Sequence, residues 1–175
     1  MSGSFFRTPW VPRTRGIAMA PKIPVLFVVV GMALSGTPEP AAAQVEAEYL
    51  QSETTRVMGL PFSDAVRVGD ILFLSGQLGN RPGEMEVVPG GIQAETRQTM
   101  ENIKATLQRH DLDMGDIIKC TVFLADMSQW PEFNKVYASY FEKGRYPARS
   151  ALAAAALALG ARVEVECIAA LPTAG

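Results

Sequence analysis

The chain has 175 residues, of which 48% are hydrophobic and 19% are charged, and its formal net charge is −2. This length suggests one domain, and the composition is globular, which excludes a disordered chain. The body of the chain has no Lys/Arg cluster and no interleaving of aromatic and basic residues, so we expect no nucleic-acid binding.

The first 43 residues have the three parts of a signal peptide. Four basic residues precede an uncharged apolar run over 23–34, and Ala41-x-Ala43 fits a signal-peptidase site with cleavage before Gln44. The run is shorter than the roughly 20 residues of a transmembrane helix, which favours a cleaved leader over an uncleaved anchor. Met19 is an alternative start of this leader. We expect a periplasmic or secreted protein with no stable membrane anchor.

The remaining chain alternates between strand and helix patterns. The first predicted elements are an extended arm over 44–60, a hairpin of strands 65–68 and 71–75 around Gly69-Asp70, and a helix from Ile92 to about Leu112. They are followed by a strand over 117–124, a helix that is capped by Ser128 and ends before Gly144, and two strands over 148–152 and 162–169. Residues 153–159 fit either a helix or a loop.

The order ββαβαββ predicts an α+β domain over residues 61–172. Two helices would cover one face of a mixed sheet in two layers. On the first helix, Ile92, Met100 and Leu107 are predicted to face inward and Glu95 outward. In the last strand, strict alternation predicts that Val163 and its alternate neighbours are buried.

The two cysteines of the mature chain, Cys120 and Cys167, lie in apolar strand patterns. An oxidising compartment permits a disulfide between them. The apolar surroundings favour two separate small core residues over that disulfide.

Several kinds of catalytic site are excluded by the residues that are present. The chain has a single histidine, His110, so no histidine-dependent triad or histidine-rich zinc site is indicated. No dinucleotide-binding or phosphate-binding glycine loop occurs, and Ser75-Gly76-Gln77 lacks the two flanking glycines of a nucleophile elbow. The sequence therefore predicts no metal and no cofactor.

Arg149 and Glu164 are the candidate catalytic residues. Arg149 stands in an apolar frame, where an arginine requires a partner, and its planar fork suits a carboxylate. Glu164 and Glu166 share one face of an alternating strand, which is costly if that face is covered. Two alternatives remain open: the glutamates are ordinary surface charges, or Arg149 forms a structural salt bridge with Glu164.

Four segments of the chain together resemble one protein family. They are Val66–Gln77 with its Ser-Gly-Gln end, Gln93–Leu107, Lys119–Met127 followed by Phe133, Asn134, Tyr137 and Phe141, and Tyr146–Ser150 with Val163–Ala169. In this order, the segments are similar to those of the Rid family, also called YjgF-like, over residues 62–169.

The resemblance implies a chorismate-mutase-like fold and a homotrimer with clefts between subunits. Deaminase members of the family hydrolyse 2-imino acids and their enamine tautomers to 2-oxo acids and ammonia without cofactor or metal. By this resemblance, Arg149 binds the substrate carboxylate and Glu164 positions and activates water. Ser75, Gly76 and Asn134 match residues that line the cleft.

The chain departs from the family pattern around the expected pocket. Phe62 stands where deaminase members commonly have tyrosine, and Ala151 stands where many have cysteine. Residues 153–159 replace a more polar segment with small apolar residues. We therefore expect Phe62 and Ala151 to contact the substrate in a wider, more apolar pocket.

Three functions are compatible with these features. The first is a deaminase of imino acids made outside the cytoplasm, for instance by an amine or amino-acid oxidase. The second is a non-catalytic trimeric binder of small carboxylate metabolites in the periplasm. The third is a stress-related protein-interaction role, which no residue pattern in the sequence directly supports. Presence of both Arg149 and Glu164 favours the first, because anion binding alone needs only the arginine.

Overall fold

A computed structural model describes residues 46–172 of the protein. The predicted signal peptide over 1–43, the cleavage point before Gln44 and the alternative start at Met19 lie outside this range. Within residues 46–172, no helix combines the length and the apolar character needed to cross a membrane.

The described range contains seven strands and three α-helices. The strands are β1 (Ala47–Leu50), β2 (Ala65–Val68), β3 (Ile71–Leu74), β4 (Gln77–Leu78), β5 (Ile117–Leu124), β6 (Ala148–Ala153) and β7 (Val163–Ala170). The helices are α1 (Glu53–Val57), α2 (Gly91–Gln108) and α3 (Trp130–Ala138). Short 3-10 turns cover Met114–Asp116, Met127–Gln129 and Ala158–Gly160.

The strands form one mixed sheet in the order β1-β2-β3-β7-β5-β6, with β4 also pairing with β7. Pairing is antiparallel throughout except between β5 and β6, which run parallel. The predicted hairpin, the strand over 117–124 and the last strand are confirmed, and so is the α+β class.

The main helices α2 and α3 pack on one face of the sheet, here called the helix face; the other is the open face. The helix face of β5 and β7 is fully buried, and its central residues are Cys120, Val122, Leu124, Val163, Val165 and Cys167. Phe133 and Tyr137 of α3 and Met100 and Leu107 of α2 complete this core. On the open face, Glu164, Glu166 and Ile168 are half-buried or exposed, as the alternation of β7 predicts.

The predicted arm is partly structured. Residues 47–50 form β1, which pairs with β2 at the edge of the sheet. Ser52 caps α1 by accepting a hydrogen bond from the Thr55 amide, and Asp64 accepts bonds from the Ser52 amide and the Thr55 hydroxyl. This short helix depends on contacts with Asp64, twelve residues beyond its cap, so a local pattern does not reveal it.

The ends of the two main helices differ from the prediction. Asp126, not Ser128, is the capping side chain, and it initiates a 3-10 turn from which α3 starts at Trp130. The first long helix ends at Gln108, and the chain then turns through Asp111, whose φ is 57°. In the ambiguous segment, Ala153 ends β6, residues 154–157 form a loop and Ala158–Gly160 form a 3-10 turn, so the segment contains no α-helix.

The expectation for the cysteines is wrong. Cys120 and Cys167 are disulfide-bonded, with Cα atoms 4.1 Å apart. They face each other directly across the antiparallel strands β5 and β7, on the buried helix face. The sequence correctly places both in core strands but does not contain the register that brings them together.

Glu95 is buried, although it was predicted to face outward. Its side chain is fully inaccessible on α2, where its two oxygens accept bonds from the Arg162 backbone amide at 2.7 Å and the Arg162 guanidinium. A buried carboxylate requires such partners. The pair fixes the chain at Arg162, immediately before β7 begins.

Candidate active site

Arg149 lies on the edge strand β6 and is held by one face of α3. Its guanidinium carbon is 4.5 Å from the ring centre of Trp130 and 4.6 Å from that of Tyr137. One of its terminal nitrogens donates to the Asn134 side-chain oxygen at 2.9 Å. The arginine is therefore oriented by two aromatic rings and one amide.

The guanidinium of Arg149 keeps N–H donors that can bind an anion. Within residues 46–172, the ion pairs shorter than 4.0 Å involve other arginines, and no carboxylate neutralises Arg149. Burial raises the pKa of Tyr137 to about 12, with Arg149 opposing part of that shift, so the tyrosine is a neutral phenol at ordinary pH. A half-buried guanidinium with neutral partners is suited to a carboxylate ligand.

Ala151 follows on the same side of β6. In the pairing with β5, Arg149 is opposite Cys120 and Ala151 is opposite Val122, and both β5 residues point to the helix face. Ala151 is exposed. Arg149, Asn134 and Ala151 thus form the first cluster of predicted site residues, the arginine half.

A second cluster, the glutamate half, lies around Glu164 on β7. The Glu164 carboxylate is packed so closely against Gly76 that a Cβ atom at position 76 would overlap its Oε1. A larger residue at position 76 would therefore displace the Glu164 carboxylate from this position. Burial, and secondarily the neighbouring Glu166 carboxylate, raise the pKa of Glu164.

Ser75 and Phe62 belong to this second cluster. The Ser75 hydroxyl donates to the Ser63 carbonyl at 2.6 Å, which ties the turn to the segment before β2. Phe62 and Ser75 line the same surface depression, together with Tyr49 and Val66. Phe62 is 47% exposed, so its ring is available to a ligand.

Arg149 and Glu164 do not meet within one subunit. Arg149 shares a face with its partner Cys120, whereas Glu164 shares a face with its partner Phe123. Positions 120 and 123 of β5 are an odd number apart, so the two side chains leave opposite faces of the sheet. This geometry excludes a salt bridge between them in one chain, the structural alternative that the sequence left open.

Sequence reasoning did not identify Trp130 and Tyr137 as contacts of the arginine. The spacing of Trp130, Asn134 and Tyr137 could have predicted these contacts, because positions i, i+4 and i+7 lie on one face of a helix. Within residues 46–172, no group of three or more His, Cys, Asp or Glu side chains is arranged to hold a metal ion.

Comparison with known proteins identifies the same domain. The family model Ribonuc_L-PSP, described as Endoribonuclease L-PSP, matches residues 54–171. A mouse protein named 2-iminobutanoate/2-iminopropanoate deaminase is 41% identical over 109 residues, which cover 62% of this chain and 80% of the mouse protein. Protein DfrA of Myxococcus xanthus is 41% identical over 111 residues, or 62% of this chain and 84% of that protein.

Solved structures agree with the sequence relatives. A Rid-family protein, YyfA from Yersinia pestis, superposes with a TM-score of 0.66 at 32% identity over 72% of this chain and 100% of its own. RidA from the Antarctic bacterium Psychrobacter sp. PAMC 21119 gives a TM-score of 0.61 at 33% identity over 73% of this chain and 98% of its own. Together with the match to residues 54–171, they show that this chain belongs to the Rid family, the YjgF-like proteins of the Ribonuc_L-PSP model.

Proposed function

We propose that the protein hydrolyses 2-imino acids and their enamine tautomers to 2-oxo acids and ammonia. The observation that carries this proposal is Arg149, which is oriented by aromatic rings and an amide but not neutralised by any carboxylate of residues 46–172. Relatives named as imine deaminases support the enzymatic function.

The reaction needs only groups of the kinds that the two clusters contain. The guanidinium of Arg149 binds the substrate carboxylate through paired hydrogen bonds, which places the adjacent C=N bond. Glu164 accepts a proton from a water whose oxygen adds to the imine carbon. Glu164 returns this proton to the nitrogen, the new hydroxyl then passes its own proton to the nitrogen through the same carboxylate, and ammonia leaves as the C–O bond becomes the carbonyl of the oxo acid.

Because the two clusters lie on opposite faces of one sheet, the proposed site combines two subunits. Arg149 lies on β6, a terminal strand that a neighbour can approach. The open face exposes Tyr49 (73%), Phe73 (45%) and Leu152 (44%), a set of large apolar side chains suited to a subunit interface. We propose the homotrimer expected from the resemblance, with the arginine half of one subunit facing the glutamate half of the next.

A ribonuclease function, which the description of the family model suggests, fits the charges less well. The net charge of the chain is −2, and the open face places Glu164 next to Glu166. Two neighbouring carboxylates repel a phosphate backbone, whose binding relies on Lys and Arg.

We also propose that the protein acts in the periplasm or outside the cell. The disulfide between Cys120 and Cys167 supports this location, because such bonds persist in oxidising compartments. The predicted leader over residues 1–43 points the same way. The substrate would then come from an oxidase of amines or amino acids that acts outside the cytoplasm.

The main alternative is a trimer that binds small carboxylates without turnover. Such a binder requires Arg149 but gains nothing from a carboxylate with a raised pKa. The placement of the Glu164 carboxylate against Gly76, with its pKa raised by burial and by Glu166, therefore favours the enzyme.

The two functions are separated by one assay. An L-amino-acid oxidase generates 2-iminopropanoate from alanine, and semicarbazide traps the imine that escapes hydrolysis. We expect the purified protein to lower semicarbazone formation, and Arg149→Ala and Glu164→Ala to abolish that effect. Arg145→Ala, which removes an exposed arginine paired with Glu142, is the matched control and should behave like wild type.

Equal semicarbazone yields with wild type and both site variants would rule out the enzyme. Turnover by none of the proteins, combined with 2-oxo acid binding that only Arg149→Ala loses, would establish the binder instead.

A further inference from the structure

A cavity of about 300 Å³ lies beside the glutamate half. It is enclosed by α1, the segment before β2, β4, the loop around residues 80–85 and the C-terminal half of α2. One water occupies roughly 30 Å³ of liquid, so this space accommodates a side chain of several carbon atoms. The mechanism described above does not use it.

The cavity adjoins the glutamate half through two shared residues. Gly76 and Phe62 both line it, and both also belong to the glutamate half. The Glu164 carboxylate packs directly against Gly76. A substrate whose reacting carbon lies near Glu164 would therefore have the mouth of this cavity within reach of its side chain.

The deeper polar groups in the cavity wall are already paired. The Asn102 amide donates to the Leu78 carbonyl at 3.0 Å and to the Asn80 carbonyl at 2.8 Å, and the Thr106 hydroxyl donates to the Asn102 carbonyl. Asp64 accepts from Ser52 and Thr55. The charged residues Arg109 and Glu84 are exposed and also paired, because the Arg109 guanidinium donates to the Thr106 hydroxyl at 3.0 Å and Glu84 forms an ion pair with Arg81.

What remains available to a ligand is apolar. The available wall is formed by large hydrophobic side chains, namely Met58, Leu60, Phe62, Leu78, Met85 and Leu159. Met58, Phe62 and Met85 are 37%, 47% and 59% exposed, which is unusual for side chains of this size that pack together.

The backbone of Leu159 gives a second, independent indication that the cavity wall has to be apolar. Its φ is 57°, in the left-handed region where a residue with a Cβ is strained by about 1–2 kcal/mol. Glycine or asparagine would fit this backbone without that cost. A leucine kept at a strained position on a cavity wall indicates that an apolar surface is needed there.

We propose that this cavity receives the substrate side chain, so that the preferred substrates are 2-imino acids with branched or long apolar side chains, such as those formed by oxidation of leucine or methionine. This inference rests on the proposed deaminase function, and it assigns the specificity to residues outside the reacting groups. Alanine-derived imine would occupy the arginine and glutamate halves but leave the cavity empty.

The test compares imino acids generated by the oxidase from alanine, leucine and methionine, using the purified protein. Each additional methylene in an apolar pocket is worth roughly tenfold or more in kcat/KM, so we expect at least a tenfold preference for the leucine-derived imine over the alanine-derived one. Ala105→Phe fills the cavity from α2 and should remove this preference while leaving alanine-derived turnover unchanged. Gln108→Phe, exposed on the same helix outside the cavity, is the matched control and should retain it.

Leu159→Asn gives a second measurement that does not depend on filling the space. It relieves the backbone strain and makes the wall polar, so the protein should fold at least as stably and yet lose the preference for apolar substrates. Equal kcat/KM for all three imines in wild type would contradict the inference, as expected if another part of the chain or a neighbouring subunit covers the cavity. Absence of turnover with every imine would instead contradict the deaminase function itself.

Discussion

Arg149 owes its orientation to three side chains of α3, and each contact can be removed separately. The rings of Trp130 and Tyr137 lie 4.5 and 4.6 Å from the guanidinium carbon, and the side-chain oxygen of Asn134 accepts a hydrogen bond from one guanidinium nitrogen. In the proposed mechanism these residues act through the arginine, so they position the substrate and take no part in the proton transfers. Replacing any of these three side chains should therefore weaken substrate binding.

Replacing Trp130 should weaken substrate binding with little effect on the chemical step. A cation–π contact at a partly exposed site is worth about 1 kcal/mol, so Trp130→Leu should raise KM roughly fivefold and leave kcat nearly unchanged. Trp130→Phe, which keeps an aromatic face, should restore most of the affinity. Tyr140→Phe removes a hydroxyl bonded to Glu101 elsewhere on the same segment and should not alter KM. A loss confined to kcat would contradict a positioning role.

Glu166 should set the pH dependence through Glu164. Burial and the Glu166 charge raise the pKa of Glu164, and the carboxylate must be ionised to accept a proton from water. Activity should therefore rise with pH through this raised pKa. In Glu166→Gln the like charge is gone, so the acidic limb of kcat/KM against pH should move to lower pH. A limb that stays in place or moves to higher pH would show that Glu164 does not control it.

At the scale of elements, the start of β7 is fixed by α2. Glu95 is fully buried and binds both the backbone and the side chain of Arg162, two residues before Glu164. This contact joins a helix to the strand that presents Glu164, the proposed water-activating residue. Arg162 is 47% exposed at its side chain, so solvent moderates the ion pair while the backbone bond is protected.

Removing Glu95 should destabilise the domain. Glu95→Ala leaves the Arg162 amide unpaired, and hydrogen bonds to charged groups contribute about 2 kcal/mol, so we expect the free energy of unfolding in urea to fall by about that amount. Gln108→Ala, at the exposed end of the same helix, should change it by less than about 0.5 kcal/mol. An unchanged midpoint for Glu95→Ala would mean that the contact does not stabilise the fold.

Elements with strong periodicity were predicted well from the sequence, and those that depend on distant contacts were not. The bounds of β5 and the alternation of β7 around Val163 follow from β-branched residues and period two. By contrast, β1 and α1 need β2 and Asp64 as partners, so they were predicted as an arm. Asp126 and Ser128 are both capping types, and only the structure shows which one caps.

In the candidate site, too, local patterns were predicted from the sequence and distant pairings were not. Asn134 and Arg149 were both predicted, and the structure brings them to 2.9 Å. Glu164 and Arg149 were predicted as one site, but the register of β5 places them on opposite faces. Register depends on pairing over the whole sheet and is not contained in any single strand pattern.

For the molecule as a whole, the disulfide links the two central strands and closes a long loop. Cys120 and Cys167 are 47 residues apart in sequence, and closing a loop of this length stabilises a fold by about 4 kcal/mol in the chain-entropy model. We expect reductant to lower the urea midpoint substantially, and Cys120→Ala combined with Cys167→Ala to show the lowered midpoint without reductant. A wild-type midpoint that does not respond to reductant would mean that the bond is not formed in the purified protein.

We propose that each active site takes Arg149 from one subunit and Glu164 from another, and mixing of two inactive variants tests this arrangement. Differently tagged Arg149→Ala and Glu164→Ala chains, each inactive alone, are co-expressed and the mixed oligomers isolated through both tags. In a trimer that contains both variants, the head-to-tail interfaces rebuild one intact arginine and glutamate pair, which is about a third of the sites. We predict deaminase activity near that fraction of wild type. Mixed oligomers as inactive as their parents would contradict the account.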